Sequence, residues 1–231
     1  MDLANPLVSI IIPVYNSEEF LRETIASAIS QTWLNKEILI IDDGSTDNSL
    51  NVAKKFESEG VKISRQENRG ASAARNYGID VSKGDFIQFL DGDDIIPVDK
   101  IEKQLSVLLK NPNCVIGCNW VRFVSSRERT WGEMGPHPSI RCDLDPIEWL
   151  LKRHMMCVHA WLTPRILVTK AGAWNESLSY NDDGEFFCRV ISKAAKVLFT
   201  SDVTVYYRSI KNRDSISKMN SQEKCRSAFL A

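Results

Sequence analysis

The chain lacks any apolar run approaching the roughly 20 residues that a membrane-spanning helix needs. Its opening stretch, MDLANPLVS, has neither the basic nor the apolar region of a signal peptide, so the expected location is the cytosol. It also lacks an excess of charge of one sign. Lysine and arginine total 29 against 30 acids, which excludes an overall field of the kind that draws nucleic acid or binds membrane surfaces strongly. Any charge that matters is therefore local. Cysteine offers no metal framework: Cys114, Cys118, Cys142, Cys157, Cys188 and Cys225 are scattered, and only the CVIGC pair lies close together. With no second Cys or His pair at metal spacing, buried thiols are the expectation rather than a zinc site. Two glycine signatures are missing as well. No G-x-G-x-x-G follows the first apolar strand, where PVYNSEEF stands, and no Gly-Lys-Ser or Gly-Lys-Thr closes a phosphate loop. NAD or FAD binding and P-loop ATP hydrolysis are thereby disfavoured. No internal repeat or low-complexity segment is visible.

What is present is the material for a full core: 231 residues, 43% hydrophobic and 26% charged. The first 110 residues alternate strand and helix. VSIIIPV at 8–14, EILIID at 37–42, VKISRQ at 61–66 and DFIQFLD at 85–91 read as strands. Helical patterns separate them, with Leu21, Ile25 and Ile29 on one face of the first, and Ile101, Leu105 and Leu108 on one face of the helix after Pro97. Continuous apolar strands with helical crossovers predict an α/β fold with a Rossmann-like, mainly parallel sheet and helices on both faces. Beyond residue 110 the rhythm changes. CVIGCNWVRFV and DVTVYYRS read as strands, DPIEWLLKRH and DGEFFCRVISKAA as helices, and 125–140 as a long loop long enough to be a lid or a disordered excursion. The expected organisation is one domain over 1–231: a first half (1–110), a second half that extends the same sheet with mixed strands (111–210), and a tail (211–231) that stops inside a helical pattern.

Three acidic clusters stand out: IIDDGSTD after the second strand, FLDGDD after the fourth, and SYNDDGEFF before a late helix. In open parallel sheets, ligands sit beyond the carboxyl ends of the strands. Like charges gathered in a cleft raise one another's pKa unless a cation or hydrogen-bond donors hold them ionised. Hard oxygen ligands suit Mg²⁺ or Mn²⁺, which commonly bind through one or two carboxylates plus substrate phosphates; Asp91 and Asp93 fit that description. The plainer reading is turn chemistry with solvated carboxylates. Tyr15 and Asn16 at one strand end, the acid pair at the next, and the NRGAS turn with Arg69 and Arg75 nearby suit a nucleotide diphosphate: an aromatic stacks on a base, an aspartate accepts from a ring N–H, and arginine or helix amides meet phosphate.

Taken together, VSIIIPVYN, QTWLNKEILIIDDGSTDNS, NRGASAARNYGI, KGDFIQFLDGDD and GAWNESLSYNDDGEFFCRV resemble the inverting glycosyltransferases of family 2, which have the GT-A fold, in order and spacing over residues 8–191. The resemblance implies that Pro13, Tyr15 and Asn16 form the base-contacting end of the first strand and that Asp43 pairs with a uracil-type ring, Asp42 serving there or supporting the turn. It places Arg69 and Arg75 toward ribose and phosphates, with a helix-surface or intramolecular ion pair as the alternative for Arg75. Asp91 and Asp93 match the D-x-D pair, Asp93 as the direct ligand of Mn²⁺ or Mg²⁺ and Asp91 nearer the ribose, with Asp94 either a ligand or behind the ligands. Asp183 falls where the family's general base stands, with Asp182 next in line and Glu185 toward acceptor or sugar; the alternative is an acid favouring the helix dipole. His159 and Trp161 either shape the acceptor pocket or fill the core. Arg208 either reaches the diphosphate or lies in a basic surface turn, and His154 is surface or structural. The implied partners are a nucleotide-diphospho-sugar donor, preferably a UDP-sugar, and a glycan or lipid-linked saccharide acceptor in cell-surface polysaccharide synthesis. No nucleic acid is involved, and peripheral contact with the inner membrane face and a homodimer both stay open. Rival readings are a sugar-phosphate nucleotidyltransferase, whose glycine-rich basic loop after the first strand is missing here, and a non-catalytic nucleotide-sugar-binding module.

Overall fold

The computed structural model describes residues 5–124, 144–151 and 156–209. The loop at 125–140, His154 and the tail from 211 lie outside the described residues. Four parallel strands form the centre, β1 (Val8–Val14), β2 (Lys36–Asp43), β3 (Val61–Gln66) and β4 (Phe86–Phe89), and the short β6 (Thr163–Pro164) pairs antiparallel on the outside of β4, giving the order β3-β2-β1-β4-β6. Every residue of β1 is buried, because helices and loops cover both faces of a strand that has parallel neighbours on both sides. Its β-branched run suits that position.

The register sets the chemistry. Val14 pairs with Asp42 and Asp43 with Gln66, while Ile11 pairs with Phe89, so the chain leaves β1, β2 and β4 at one edge. The strand order runs outward from β1 to β3 and then returns to β4 on the other flank, which puts the topological switch point between the ends of β1 and β4. In open parallel sheets that is where a ligand crevice forms.

The helices are α1 (Leu21–Ile29), α2 (Ser49–Lys54), α3 (Ala71–Val81), α4 (Lys100–Leu108), α5 (Pro146–Leu151), α6 (Arg165–Ala171) and α7 (Asp182–Lys193). α3 lies directly on β1 and β2, and Gly78 lets it do so: a Cβ there would stand 2.4 Å from Ile11 Cγ2. The expected mixed extension of the same sheet is not what forms: only the two-residue β6 joins the central sheet. β5 (Val115–Phe123) and β7 (Val197–Arg208) make a parallel two-stranded sheet of their own, stitched to the rest through the bridges Ile95–Tyr206 and Ile116–Leu162. β7 begins at Val197 rather than at Asp202, since the apolar VLF segment ahead of Ser201 pairs too. β6 and α6 are too short for periodicity to show.

An aromatic cluster fastens α7 to the end of β4. Trp174 stacks on Phe186 with ring centroids 4.1 Å apart, and Phe89 meets both rings edge-on at 5.2 and 5.9 Å. Such pairs add about 1 kcal/mol each beyond the area they bury. Farther in, the fully buried Lys100 donates to the Gln88 side chain and to Gln104 Oε1 at 2.6 Å, tying α4 to β4. Burial lowers its pKa to about 8.

Candidate active site

At the end of β2 the adjacent acids are both buried and both committed to the local backbone. Asp42 Oδ1 accepts from the Ser45 amide at 3.2 Å, and its other oxygen pairs with Arg65 Nε at 3.1 Å. Asp42 thus supports the turn. Asp43, 2% exposed, accepts on Oδ1 from Gln66 Nε2 at 2.7 Å and the Arg69 amide at 2.9 Å, and on Oδ2 from the Gly70 amide at 2.8 Å. Its carboxylate shapes the NRGAS turn that starts α3, and the second lone pair of Oδ2 is the acceptor position left over.

Beside this turn stands the end of β1. Pro13 is buried in the strand, and Tyr15 is 50% exposed at the rim. Asn16 adopts a left-handed backbone with φ of 48° while its Oδ1 accepts from the Thr46 amide at 2.8 Å, fastening the β1 turn to the β2 turn. Arg69 lies at the surface and donates to Glu176 Oε2 at 2.7 Å.

Arg75 is the joint of the site. It projects from α3, buried, with its guanidinium carbon 4.5 Å from the Trp174 ring centroid. One terminal nitrogen donates to Asp91 Oδ1 at 2.7 Å and the other to Asp182 Oδ2 at 2.8 Å, while Ser72 Oγ reaches the same Asp182 oxygen at 3.2 Å. Of the two readings of Arg75, the internal ion pair is the one observed. The turn after β4 and the head of α7 therefore meet across one cation, and the carboxylates around it hold its proton tighter still. Gly92 keeps the β4 turn close to β1, since a Cβ there would lie 3.2 Å from the Pro13 carbonyl oxygen.

Asp183 follows in the first turn of α7, partly buried, with Oδ1 accepting from the Gly184 amide at 2.8 Å. Enclosure pushes its pKa up to about 6, helped by the charges of Asp182 and Asp91 and opposed by Gly184 and Arg75. A carboxyl poised there can exchange a proton near neutral pH. Glu185 is engaged by Arg189 through two contacts of 2.6 and 2.7 Å, a helical ion pair.

Asp91 and Asp93 are half-buried, and Asp94 is buried. Asp94 accepts from the Arg208 amide at 2.7 Å, faces His159 Nδ1 at 3.0 Å, and has its pKa raised mainly by burial; both of its oxygens are turned to buried partners. Among the described residues no three acidic, His or Cys side chains are gathered as a ready metal cage. The donor set of Asp91 and Asp93 fits a hard divalent cation that takes one or two carboxylates from the protein and the rest from phosphate and water.

His159 and Trp161 are core residues. His159 is fully buried and stacks on Tyr207 at 6.4 Å, and Trp161 stacks on Phe187 at 5.2 Å. Trp161 offers no open face to a pyranose. Arg208 occupies neither of its expected places: it is buried behind the β4 turn rather than at the diphosphate or on the surface. Its inward direction was signalled only by its place at the end of an apolar strand. Trp174, the platform for Arg75, lies inside the matched GAWNES stretch but carries no chemistry that marks it.

The family model described as glycosyl transferase family 2 matches residues 9–171. An uncharacterized glycosyltransferase of Rickettsia typhi is 32% identical over 208 residues, covering 88% of this chain and 64% of that protein. Glycosyltransferase GlyG of Streptococcus pneumoniae is 40% identical over 115 residues, covering 48% of this chain and 38% of its own. Among solved structures, S. aureus TarS 1–349 in complex with UDP-GlcNAc superposes with a TM-score of 0.79 at 20% identity, over 92% of this chain and 61% of that one. This chain spans less than two thirds of the length of each of these proteins. With the family model covering most of its length and a parallel sheet that carries its acids at one edge, the chain belongs to glycosyl transferase family 2 and has the GT-A fold.

Proposed function

We propose that this protein transfers a sugar, with inversion, from a nucleotide-diphosphate donor to a hydroxyl acceptor, with Asp183 as the general base. The observation that carries the reading is Arg75, which holds Asp91 of the donor-side turn and Asp182 of the α7 head at 2.7 and 2.8 Å and so puts Asp183 on the same crevice. UDP is the favoured nucleotide. A structural neighbour is solved with UDP and with UDP-GlcNAc, and Tyr15 stands exposed at the end of β1 where a base can stack.

In this reading the base seats against Tyr15, and the NRGAS turn built by Asp43 offers the α3 amino end to the ribose and phosphates. Asp93 and Asp91 would hold Mn²⁺ or Mg²⁺, which when bound offsets the negative charge of the departing diphosphate. Asp183 accepts the acceptor hydroxyl proton as that oxygen attacks the anomeric carbon opposite the diphosphate, so one in-line displacement inverts the centre. Glu185 flanks the acceptor side while pinned by Arg189. The acceptor class is a glycan or lipid-linked saccharide of a cell-surface polysaccharide. Among the described residues no helix is long and apolar enough to cross a membrane, and peripheral contact at the inner membrane face agrees with such an acceptor.

Asp183→Asn tests the assignment. Transfer should fall by at least about 10²-fold while UDP binding in Mn²⁺, read by calorimetry, stays at the wild-type level. Undiminished transfer would remove Asp183 from the base role, and wild-type protein that binds no UDP-sugar in Mn²⁺ would remove the donor reading.

A further inference from the structure

Behind the β4 turn a second arginine is built in as completely as Arg75. The Arg208 guanidinium lies between the rings of Phe20 and Phe123, 4.3 Å from each centroid. Its side chain is 1% exposed and reaches three separate elements. Nε donates to the Asp93 carbonyl at 2.6 Å, Nη1 to the Val124 carbonyl at 3.2 Å beyond β5, and Nη2 to Glu23 Oε2 at 2.7 Å on α1. Its own backbone amide donates to Asp94 Oδ1 at 2.7 Å. The neighbouring bridge between Ile95 and Tyr206 completes the attachment of this turn to β7.

The turn needs such a fastening. Asp91, Asp93 and Asp94 place three carboxyl groups within four residues, and they repel one another unless cations and donors lie close. Arg75 serves Asp91 from the crevice side. Arg208 serves the turn from the opposite side: its guanidinium donates to the Asp93 carbonyl, and its main-chain amide donates to the Asp94 carboxylate. A planar fork with fixed donor directions orients a backbone carbonyl in a way that a point charge does not.

We propose that Arg208 is a positioning residue of the donor site: by tying the Asp93 carbonyl to Val124 and Glu23 from behind, its guanidinium sets the direction in which the Asp93 side chain is presented to the donor diphosphate. This rests on the donor reading above. Arg208 touches no substrate, so its effect passes wholly through the turn.

Arg208→Lys keeps the charge and loses the fork, and Arg208→Met keeps the stem between the two rings and loses both. The readouts are UDP affinity by calorimetry with Mn²⁺ present and with EDTA, and amide hydrogen exchange of the segment 90–96. In Arg208→Lys, UDP binding with Mn²⁺ should weaken by about tenfold, the scale of one lost charge-assisted hydrogen bond. Binding in EDTA, which depends on the Tyr15 end, should not change, and exchange at 90–96 should quicken while α3 keeps wild-type protection. A residue that merely filled the core would lower stability without separating the two affinities. Should both variants fail to fold, Glu23→Gln loosens the same guanidinium from the outside, and it should weaken UDP binding in Mn²⁺ by about two- to threefold. Wild-type affinity in Mn²⁺, or unaltered exchange at 90–96, in the folded variants would overturn the proposal. Wild-type protein that ignores Mn²⁺ would instead break the donor reading, and the exchange at 90–96 would still decide whether Arg208 holds the turn.

Discussion

The acids after β2 and the acids around Arg75 are the same residue type at the same edge of the sheet, yet they do different work. Asp42 and Asp43 meet a supply of donors: the amides of Ser45, Arg69 and Gly70, the Gln66 amide and Arg65. Asp91 and Asp182 share one guanidinium, with Ser72 added at Asp182, and Asp183, within reach of the same charge, accepts from the Gly184 amide. Where donors match acceptors, a carboxylate becomes part of the scaffold. Where they fall short, negative charge is left facing a crevice, and a ligand with a cation or a transferable proton can use it. Donor supply, and not the Asp-Asp-Gly or Asp-Gly-Asp pattern, separates a scaffold carboxylate from one with acceptor capacity to spare.

The strongest way to break this comparison is to remove the shared cation. Arg75→Met leaves Asp91 and Asp182, whose side chains are 31% and 20% exposed, facing each other beside Asp183 without their counter-charge. Loss of one partner from such a network costs about 3–5 kcal/mol, and partial exposure puts the expected value at the lower end. Urea unfolding at pH 7.5 should show it. The cost should shrink at pH 4, where Asp183, whose pKa is pushed up to about 6, is protonated and its charge no longer adds to the repulsion. A penalty equal at both pH values would mean that Arg75 acts through its packing on Trp174 and not through charge.

The opposite test falls on the builder. Asp43→Asn keeps the shape but turns one acceptor into a donor facing main-chain N–H groups. The expected loss is about 2–3 kcal/mol, with the NRGAS turn losing amide protection and the pH dependence of transfer left as in wild type. A moved pH profile would show that Asp43 belongs with the reactive set.

How much of this was legible beforehand follows from the same contrast. The strands of the first half were legible because β-branched runs such as VSIIIPV have a single use in a covered parallel sheet, and β1 and β3 take the residues expected of them. The shared edge of the first two acidic turns was legible too, because parallel strands put their carboxyl ends on one side; the place of the third, at the head of α7, came only from the family resemblance. The partners were not. Arg75 could be read toward phosphate or toward an ion pair, and the decision depends on Trp174 and Asp182, about a hundred residues away. Trp161 and His159 carry the same pattern whether they line a pocket or fill a core. Arg208 followed an apolar strand and preceded a basic stretch, and nothing local told that two phenyl rings and Glu23 would enclose it.

The smallest expected effect sharpens the comparison most finely. Asp183 titrates near pH 6 because of its enclosure and, second, because of the charge on Asp182. Since the base must be ionised to accept a proton, kcat/KM for transfer should fall as pH drops through about 6. Asp182→Asn removes a negative neighbour and leaves Arg75 in place, so Asp183 should ionise more readily and the acid limb should move down by about half to one pH unit. The stability change has a matching sign. A carboxyl whose folded pKa lies above its unfolded value of about 3.9 stabilises the fold while protonated, an effect complete below about pH 4 and lost as pH rises through about 6. In Asp182→Asn that loss should finish at a lower pH, visible in melting temperatures taken from pH 4 to 7. A limb that stays at pH 6 would mean that enclosure alone tunes the base, and that the crowding of acids at this edge serves the donor and not the proton.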